Sequence, residues 1–301
     1  MRGLPGRPVL SAPAWPGDFP DPQVMRTDGG YVAFATNSGG SNVQVRTSPD
    51  LVTWDQQADG LPRLPEWAEP GRTWSPAAVV APDGFVLWYV ARYRRWGRQA
   101  ISTAVASEPQ GPFVDRSEQP TIFQADEGGS IDPSPFVDEG GDAYLVWKAD
   151  ANAVGRRSTL WGQRLAPDRR RLEGEPVCLL RYDRWWERPL VEAPSLVRAA
   201  GRYWLMYSAG RYDTGGYCMG LAVGDAPLGP FRKVSSWWRW VGSDRRGAGP
   251  GGQEPFVDGA GALRLAYHAW TPGQVGYRAG GQRTLRIGHL AVDGGRLRLS
   301  P

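Results

Sequence analysis

Five short stretches of this chain are apolar or aromatic on both alternating faces: GGYVAFAT at 29–36, DGFVLWYVAR at 83–92, GDAYLVWK at 141–148, GRYWLMYSAG at 201–210 and GALRLAYHAW at 261–270. A period of two is the mark of a β-strand, and apolar residues on both faces mark a strand packed on each side. Each stretch opens on an acidic or glycine turn. Ahead of that turn stands an X-Pro corner that leads into a few apolar residues: Asp21-Pro22, Ser75-Pro76, Asp132-Pro133, Ala193-Pro194 and Glu254-Pro255. A third alternating segment follows each time (VQVRTS, ISTAVAS, LWGQRLA, YCMGLAVG, LRIGHLAV), then a turn and a short outer strand. The unit returns roughly every 55 to 60 residues, long enough for a four-stranded sheet with its turns. Five such sheets predict an all-β, five-bladed β-propeller, with the first strand of every blade around one axis.

The repeat runs from end to end of the 301 residues, so one domain over residues 1–301 is expected rather than two. A closed ring must hide the edge of its last sheet. The stretch before Asp18 and the final LRLSP are the segments placed to supply that outer strand. The 40 Gly and 27 Pro fit many tight turns. The 15 Trp fill the wedge between twisted sheets, and Trp is also a residue on which sugar rings stack. The longest irregular stretches are 55–72, 181–191 and 235–252, and the last two (RYDRWWERP, SSWWRWVGSDRRGAGPGG) carry five Trp. Exposing that many indoles is costly, which predicts that these two loops fold over the mouth of the funnel as a substrate rim.

The formal charge of +4 raises nucleic acid as a partner. The basic residues, however, are almost all Arg, lie scattered among acids and form no stripe interleaved with aromatics, so no nucleic-acid partner is expected. No stretch approaches 18 apolar residues, so no membrane span is expected. The segment MRGLPGRPVLSAPAWPGD lacks an apolar core of leader length, and a cytoplasmic location is the expectation. Cys178 and Cys218 make no disulfide framework and are expected as reduced, buried thiols. Two histidines, His268 and His289, without a CxxC are too few for a His-based zinc site.

Candidate chemistry stands at the corners. Asp21, Asp132 and Glu192 head inner strands, next to a proline or one residue short of the X-Pro step. Taken singly, Asp-Pro is a common turn initiator. Taken together, three acids brought to one axis repel unless they have work to do or a cation to hold. Glycoside hydrolysis needs such a set: one carboxyl protonates the leaving oxygen, and another activates water or attacks the sugar. A further charge nearby can keep the acid protonated.

The phrases FPDPQV with GGYVAFATNS, TWSPAAVV, GGSIDPSPFVDEGGDAYLVWK, VEAPSLVRAAGRYWLMYSAG, and GPGGQEPFVD with LAYHAW resemble glycoside hydrolase family 43, in order over nearly the whole chain. The resemblance implies a five-bladed propeller that inverts the anomeric centre and acts mostly on α-L-arabinofuranosides and β-D-xylosides. It also implies roles. Asp21 matches the general base; Asp18 is its rival, set aside because the family's base directly precedes Pro. Asp132 matches the acid that raises the general acid's pKa and orients it, and Glu192 matches the general acid. Trp74 matches an aromatic against the sugar at the bottom of the pocket, and Arg283 resembles a fifth-blade Arg that reaches the substrate. Inversion asks for a base–acid separation of about 6.5–9.5 Å, to admit a water. In one departure, Gln253 stands where many members place a His that helps hold an axial metal ion or water. Gln and Glu oxygens suit calcium better than zinc. No cofactor is required by the resemblance; a calcium ion on the axis is the candidate, with Gln253 and His268 as its ligands. His268 is read either so or as a buried structural residue.

Invertase-type and fructosidase-type propellers carry Arg-Asp-Pro in the middle blade and Glu-Cys at the acid, against Ile131-Asp132-Pro133 and Glu192-Ala193 here. A propeller that only binds glycans is the alternative of another class, and the paired acid and base, for which it has no use, count against it. A WD-type propeller fails on period and on the missing Trp-Asp phrase. The expected activity is exo-acting release of a terminal pentose from arabinan, arabinoxylan or xylan fragments. α-L-Arabinofuranosidase comes first, β-xylosidase second, and endo-arabinanase is a further alternative.

Overall fold

Proline cannot donate to a ladder and so sits where a strand begins, and the inner strands of four blades start around such a residue. A computed structural model describes residues 8–235 and 237–301; the first residues of the stretch judged for a leader, and Ser236 of the second Trp-rich loop, lie outside the described residues. Strand β1 (Pro13–Asp18) precedes blade one, which holds β2 (Gln23–Thr27), β3 (Gly30–Ala35), β4 (Gln44–Ser48) and β5 (Asp55–Gln56). Blade two holds β6 (Ala68–Ala81), β7 (Gly84–Tyr93) and β8 (Arg98–Ala106). Bridges from Ile101 to Ile122 and from Val105 to Val114 stand for its fourth strand. Blade three is β9 (Ser130–Val137), β10 (Ala143–Ala149), β11 (Thr159–Leu165) and β12 (Leu172–Arg181). Blade four is β13 (Val191–Ala199), β14 (Arg202–Ala209), β15 (Cys218–Gly224) and β16 (Arg232–Lys233). Blade five is β17 (Ala248–Val257), β18 (Leu263–Trp270) and β19 (Arg283–Asp293), joined by β20 (Arg296–Ser300). The predicted all-β, five-bladed propeller is what forms.

Because both faces of each second strand are apolar, every seam between blades becomes a core. Phe34 and Leu87 meet between blades one and two, Trp88 and Trp147 between two and three, and Val146 and Tyr207 between three and four. Met206 and Leu265 fill the fourth seam, and Ala33 and Phe256 the seam that closes the ring. The buried indoles also find acceptors: Trp147 Nε1 donates to Gln124 Oε1 at 2.8 Å and Trp270 Nε1 to the Tyr212 carbonyl at 2.7 Å.

Both termini close the ring. β1 pairs with β19 from Thr284 to Arg286, and β20 pairs with it from His289 to Asp293. The two share the edge of β19 end to end, which leaves no long open edge. Trp15 on β1 is fastened to blade one by the Arg46 guanidinium, 3.6 Å from its ring centre.

At the axis the chain makes the same backbone move in every blade. Asp21, Ser75, Asp132 and Ala193 have φ of 53°, 43°, 56° and 46°, in the left-handed region. The fifth blade makes this move at Gly252 (φ 58°), two residues ahead of the Glu254 that the sequence repeat marks. The proline signal is thus out of register in blade five, where Gln253 takes the place that proline holds elsewhere. Pairing agrees, since Ile131 faces Lys148, Glu192 faces Ser208 and Gly251 faces His268, each just before its corner. Only glycine serves at 252: a Cβ there would stand 2.7 Å from His268 Nδ1 and 2.9 Å from Asp21 Oδ1.

Two expectations are corrected. The Trp-rich loops do not rim the funnel. Trp186 stacks on Tyr207 at 6.2 Å, Trp185 packs on Trp238 at 5.7 Å, and Trp240 donates to the Leu297 carbonyl at 3.2 Å. Trp186 and Trp240 are partly covered, against the seam between blades three and four and the flank at β20, whereas Trp185, Trp237 and Trp238 stay exposed. Nor are both thiols buried: Cys218 is, but Cys178 is exposed on the outer strand β12. Among the described residues, no helix is long and apolar enough to cross a membrane.

Candidate active site

Four of the five corners, Asp21, Ser75, Asp132 and Ala193, form the floor of a pocket of about 660 Å³ on the axis. Asp21, Asp132, Glu192, Trp74 and Arg283, all picked out from the sequence, line it together. Its wall comes from loops bearing Asn37, Arg72, Asn152, Tyr212, Asp213 and Tyr277. Beyond the floor lies a narrow axial space lined by Pro76, Pro133, Pro194 and Glu254.

Asp21 projects from the blade-one corner. Thr36 Oγ1 donates to its Oδ2 at 2.7 Å, and Arg283 Nη1 stands 3.4 Å from its Oδ1. Its backbone N–H donates to His268 Nδ1 at 3.0 Å. Arg283 is itself fixed: Nε and Nη2 donate to Tyr277 Oη at 3.1 and 3.0 Å, and its guanidinium lies 4.9 Å from the ring centre of Tyr212. Asp18, the rival base, accepts the Arg283 backbone N–H at 2.9 Å and the Tyr277 hydroxyl at 3.2 Å. Burial raises the pKa of Asp18 despite these donors. Its geometry makes it a brace for the Arg283–Tyr277 pair.

On the opposite side, Asp132 Oδ1 accepts from Ser75 Oγ at 2.9 Å and Oδ2 from the Ala193 N–H at 2.8 Å. Burial first, and then the charge of Glu192, push its pKa up to about 7, against the pull of Lys148. Glu192 accepts from Lys148 Nζ at 2.9 Å on Oε2 and from the Tyr217 hydroxyl at 2.7 Å on Oε1. The sequence reading has Asp132 acting on Glu192; in the structure the repulsion also acts on Asp132, because Glu192 has two donors of its own.

Sequence reasoning missed Lys148, Tyr217, Tyr277 and Thr36. Lys148 had a usable signal: a lone charge closing a strand that is apolar on both faces must be buried, and a buried charge needs a partner. Tyr217, Tyr277 and Thr36 have none, since a loop tyrosine or a strand-end threonine is ordinary until its neighbours are known.

The candidate metal ligands are already engaged. Gln253 Oε1 accepts from Ser208 Oγ at 2.9 Å, and its Nε2 donates to the Ala193 carbonyl at 2.6 Å. Since His268 Nδ1 accepts the Asp21 N–H, the ring proton sits on Nε2 and neither nitrogen has a free lone pair. No group of three or more His, Cys, Asp or Glu among the described residues is placed to hold a metal. These donors do not fit an axial calcium ion, and the contact His268 makes instead is the hydrogen bond from the Asp21 N–H.

The sequence profile of glycosyl hydrolases family 43 matches residues 10–293. The chain is 24% identical over 280 residues to a β-D-galactofuranosidase of Aspergillus niger, covering 85% of this chain and 75% of that one. It is 28% identical over 273 residues to an α-L-arabinofuranosidase of Humicola insolens, covering 84% of this chain but only 50% of the relative. A thermostable family-43 glycoside hydrolase superposes with a TM-score of 0.82 at 26% identity, over 99% of this chain and 95% of the other. An endo-1,4-β-xylanase from Bacteroides thetaiotaomicron follows at a TM-score of 0.80 and 25% identity, over 97% of each chain. With the matched residues running through all five blades and taking in Asp21, Asp132 and Glu192, this chain belongs to glycosyl hydrolases family 43.

Proposed function

We propose that the chain is an inverting, exo-acting glycosidase that releases terminal α-L-arabinofuranose from arabinan or arabinoxylan fragments. One observation carries the reading: Asp21 and the Asp132–Glu192 pair share a pocket but have opposite surroundings, an arginine on one side and a proton-holding acid pair on the other. Environments that separate two carboxyl sites in this way assign a base and an acid.

In this reading a water beside Asp21 attacks the anomeric carbon and gives its proton to the carboxylate. Glu192 delivers a proton to the leaving oxygen as the C–O bond breaks. Exchange with solvent then restores both groups. Thr36 and Arg283 hold Asp21 in place while the proton moves. Trp74 offers the sugar an aromatic face. Asn37, Asn152, Tyr212 and Tyr277, standing around the acids on several sides, support release of a chain end. The name of the Bacteroides structure favours a second reading, in which the terminal sugar is xylose from xylan fragments.

The test is hydrolysis of 4-nitrophenyl α-L-arabinofuranoside and 4-nitrophenyl β-D-xylopyranoside by the wild type and by Glu192→Ala, with the first-formed anomer read by NMR. Release from the arabinofuranoside, reduced in the variant, with the β-anomer appearing first, is expected. Release from the xyloside alone would move the assignment to the second reading. Silence on both from folded protein would overturn the exo reading.

A further inference from the structure

We infer that Lys148 is the positioning residue of the acid half of the site, fixing the Glu192 carboxyl toward the leaving group and balancing the charge of the acids around it. The inference rests on the reading of Glu192 as proton donor given above.

Lys148 is the one lysine or acid at its position in the repeat, where the other blades carry Thr36, Val90, Ser208 and His268. In three blades a polar side chain near the end of the second strand accepts the corner N–H of the next blade. Ser75 N donates to Thr36 Oγ1 at 2.9 Å, Gly252 N to Ser208 Oγ at 3.0 Å, and Asp21 N to His268 Nδ1 at 3.0 Å. Lys148 holds that position in blade three, facing Ile131. An ammonium has no lone pair and cannot do this work. The duty passes to Asp132, whose Oδ2 accepts the Ala193 N–H at 2.8 Å. Val90 breaks the same rule in blade two with an apolar side chain that packs in a seam; a buried charge has no such structural gain and marks a functional position.

The freed ammonium is 1% exposed and turns to the acids, with Nζ 2.9 Å from Glu192 Oε2 and 3.0 Å from Asp150 Oδ1. With Tyr217 on Oε1, both oxygens of Glu192 are held, and the carboxyl cannot swing out of the pocket. The charged and titratable groups around the pair are Asp132, Asp150, Asp21 with its Arg283, Tyr217, and Glu254 below the floor. Burial works against the lysine's charge, but Glu192, Asp150 and Asp132 outweigh it and hold its pKa above the usual range. In return Lys148 favours the ionised form of Asp132.

The experiment uses aryl pentosides of the sugar that the wild type cleaves, in a series from phenyl to 2-chloro-4-nitrophenyl. A poor leaving group needs the acid; a good one departs with little help. For Lys148→Met, kcat/KM on the phenyl glycoside should fall by about a hundredfold or more, within the range general acid catalysis supplies, and by under about tenfold on the activated one. The alkaline limb of its pH profile should move to higher pH, because the cation that eased proton loss from the pair is gone. Asp150→Asn, which loosens the clamp but keeps the cation, should show the same leaving-group dependence more weakly without the upward move of the limb, and decides the matter if Lys148→Met does not fold. Equal losses across the series with an unmoved limb would reduce Lys148 to a structural residue while leaving the glycosidase reading intact. A wild type silent on every aryl pentoside would overturn that reading, and this inference with it.

Discussion

His268 Nδ1 accepts the backbone N–H of Asp21 at 3.0 Å, so the fifth blade holds the Asp21 corner of the first across the seam where the ring closes. Burial first, and then the charge of Arg283, keep the imidazole pKa well below the usual histidine range. The ring stays neutral and keeps its lone pair for this one bond at every working pH.

Metal removal should therefore leave the protein unchanged. Dialysis against EDTA is expected to alter neither kcat nor Tm, and added calcium should raise neither; a calcium-dependent rise in Tm would contradict the placement of Gln253 and His268. His268→Ala, by contrast, orphans the Asp21 N–H, a loss of about 1–3 kcal/mol for a buried donor. It should lower both Tm and kcat, and calorimetry with aryl-glycoside kinetics reads the two together.

The activity should fall on the alkaline side. The Asp132–Glu192 pair must carry a proton to protonate the leaving oxygen, and Asp132 is pushed up to about 7. That proton is present below about 7 and lost as pH rises through it, so kcat/KM should drop roughly tenfold per pH unit beyond the limb. The limb is a property of the pair. A profile flat to pH 9 would show that no such proton is needed.

Glu254, in the axial space below the floor, should cost stability at neutral pH. Burial, with a contribution from the charge of Asp132, pushes it up to about 8 against the hydrogen bond from Ser134 Oγ. The folded state keeps this proton while the unfolded chain sheds it near the ordinary value of 4.5, so the stability it lends below that value is lost as pH rises to about 8. Glu254→Gln should raise stability at pH 8 by about 1–3 kcal/mol and leave it nearly unchanged at pH 4. Thermal melts at the two pH values measure the difference.

The N-terminal strap should be worth measuring on its own. Trp15→Ala removes the ring under the Arg46 guanidinium and loosens β1 from its two neighbours. A cost of about 1–3 kcal/mol in chemical denaturation is expected from the lost stacking and burial. Because Asp18 ends β1 and braces Arg283, KM should rise as well.

Much of this was legible in the chain. Alternation apolar on both faces called for strands packed on each side, and five seams with Trp88, Trp147 and their neighbours in them are the result. The acids at the corners stood out because like charges at one axis need a reason. The fifth blade was read out of register because proline was taken as the marker of the corner. The backbone answers instead to a left-handed residue, and in that blade a glycine supplies it without proline. The Trp-rich loops depart from expectation because the cost of exposing an indole does not fix where it goes: Trp186 and Trp240 pack on the flank, and Trp185, Trp237 and Trp238 stay exposed.

The sequence by itself determined the blades, their number, four of the five corners and the three carboxylates, because these follow from local rules of period, turn and strand start. The tertiary structure alone decided the partners. Lys148 reaches Glu192, Arg283 reaches Asp21 and His268 reaches the Asp21 N–H only because five blades share one axis. Which acid holds a proton depends on those long-range neighbours and on burial. Closure by β1 and β20 together was likewise settled in three dimensions, where β19 is long enough to pair with both along one edge.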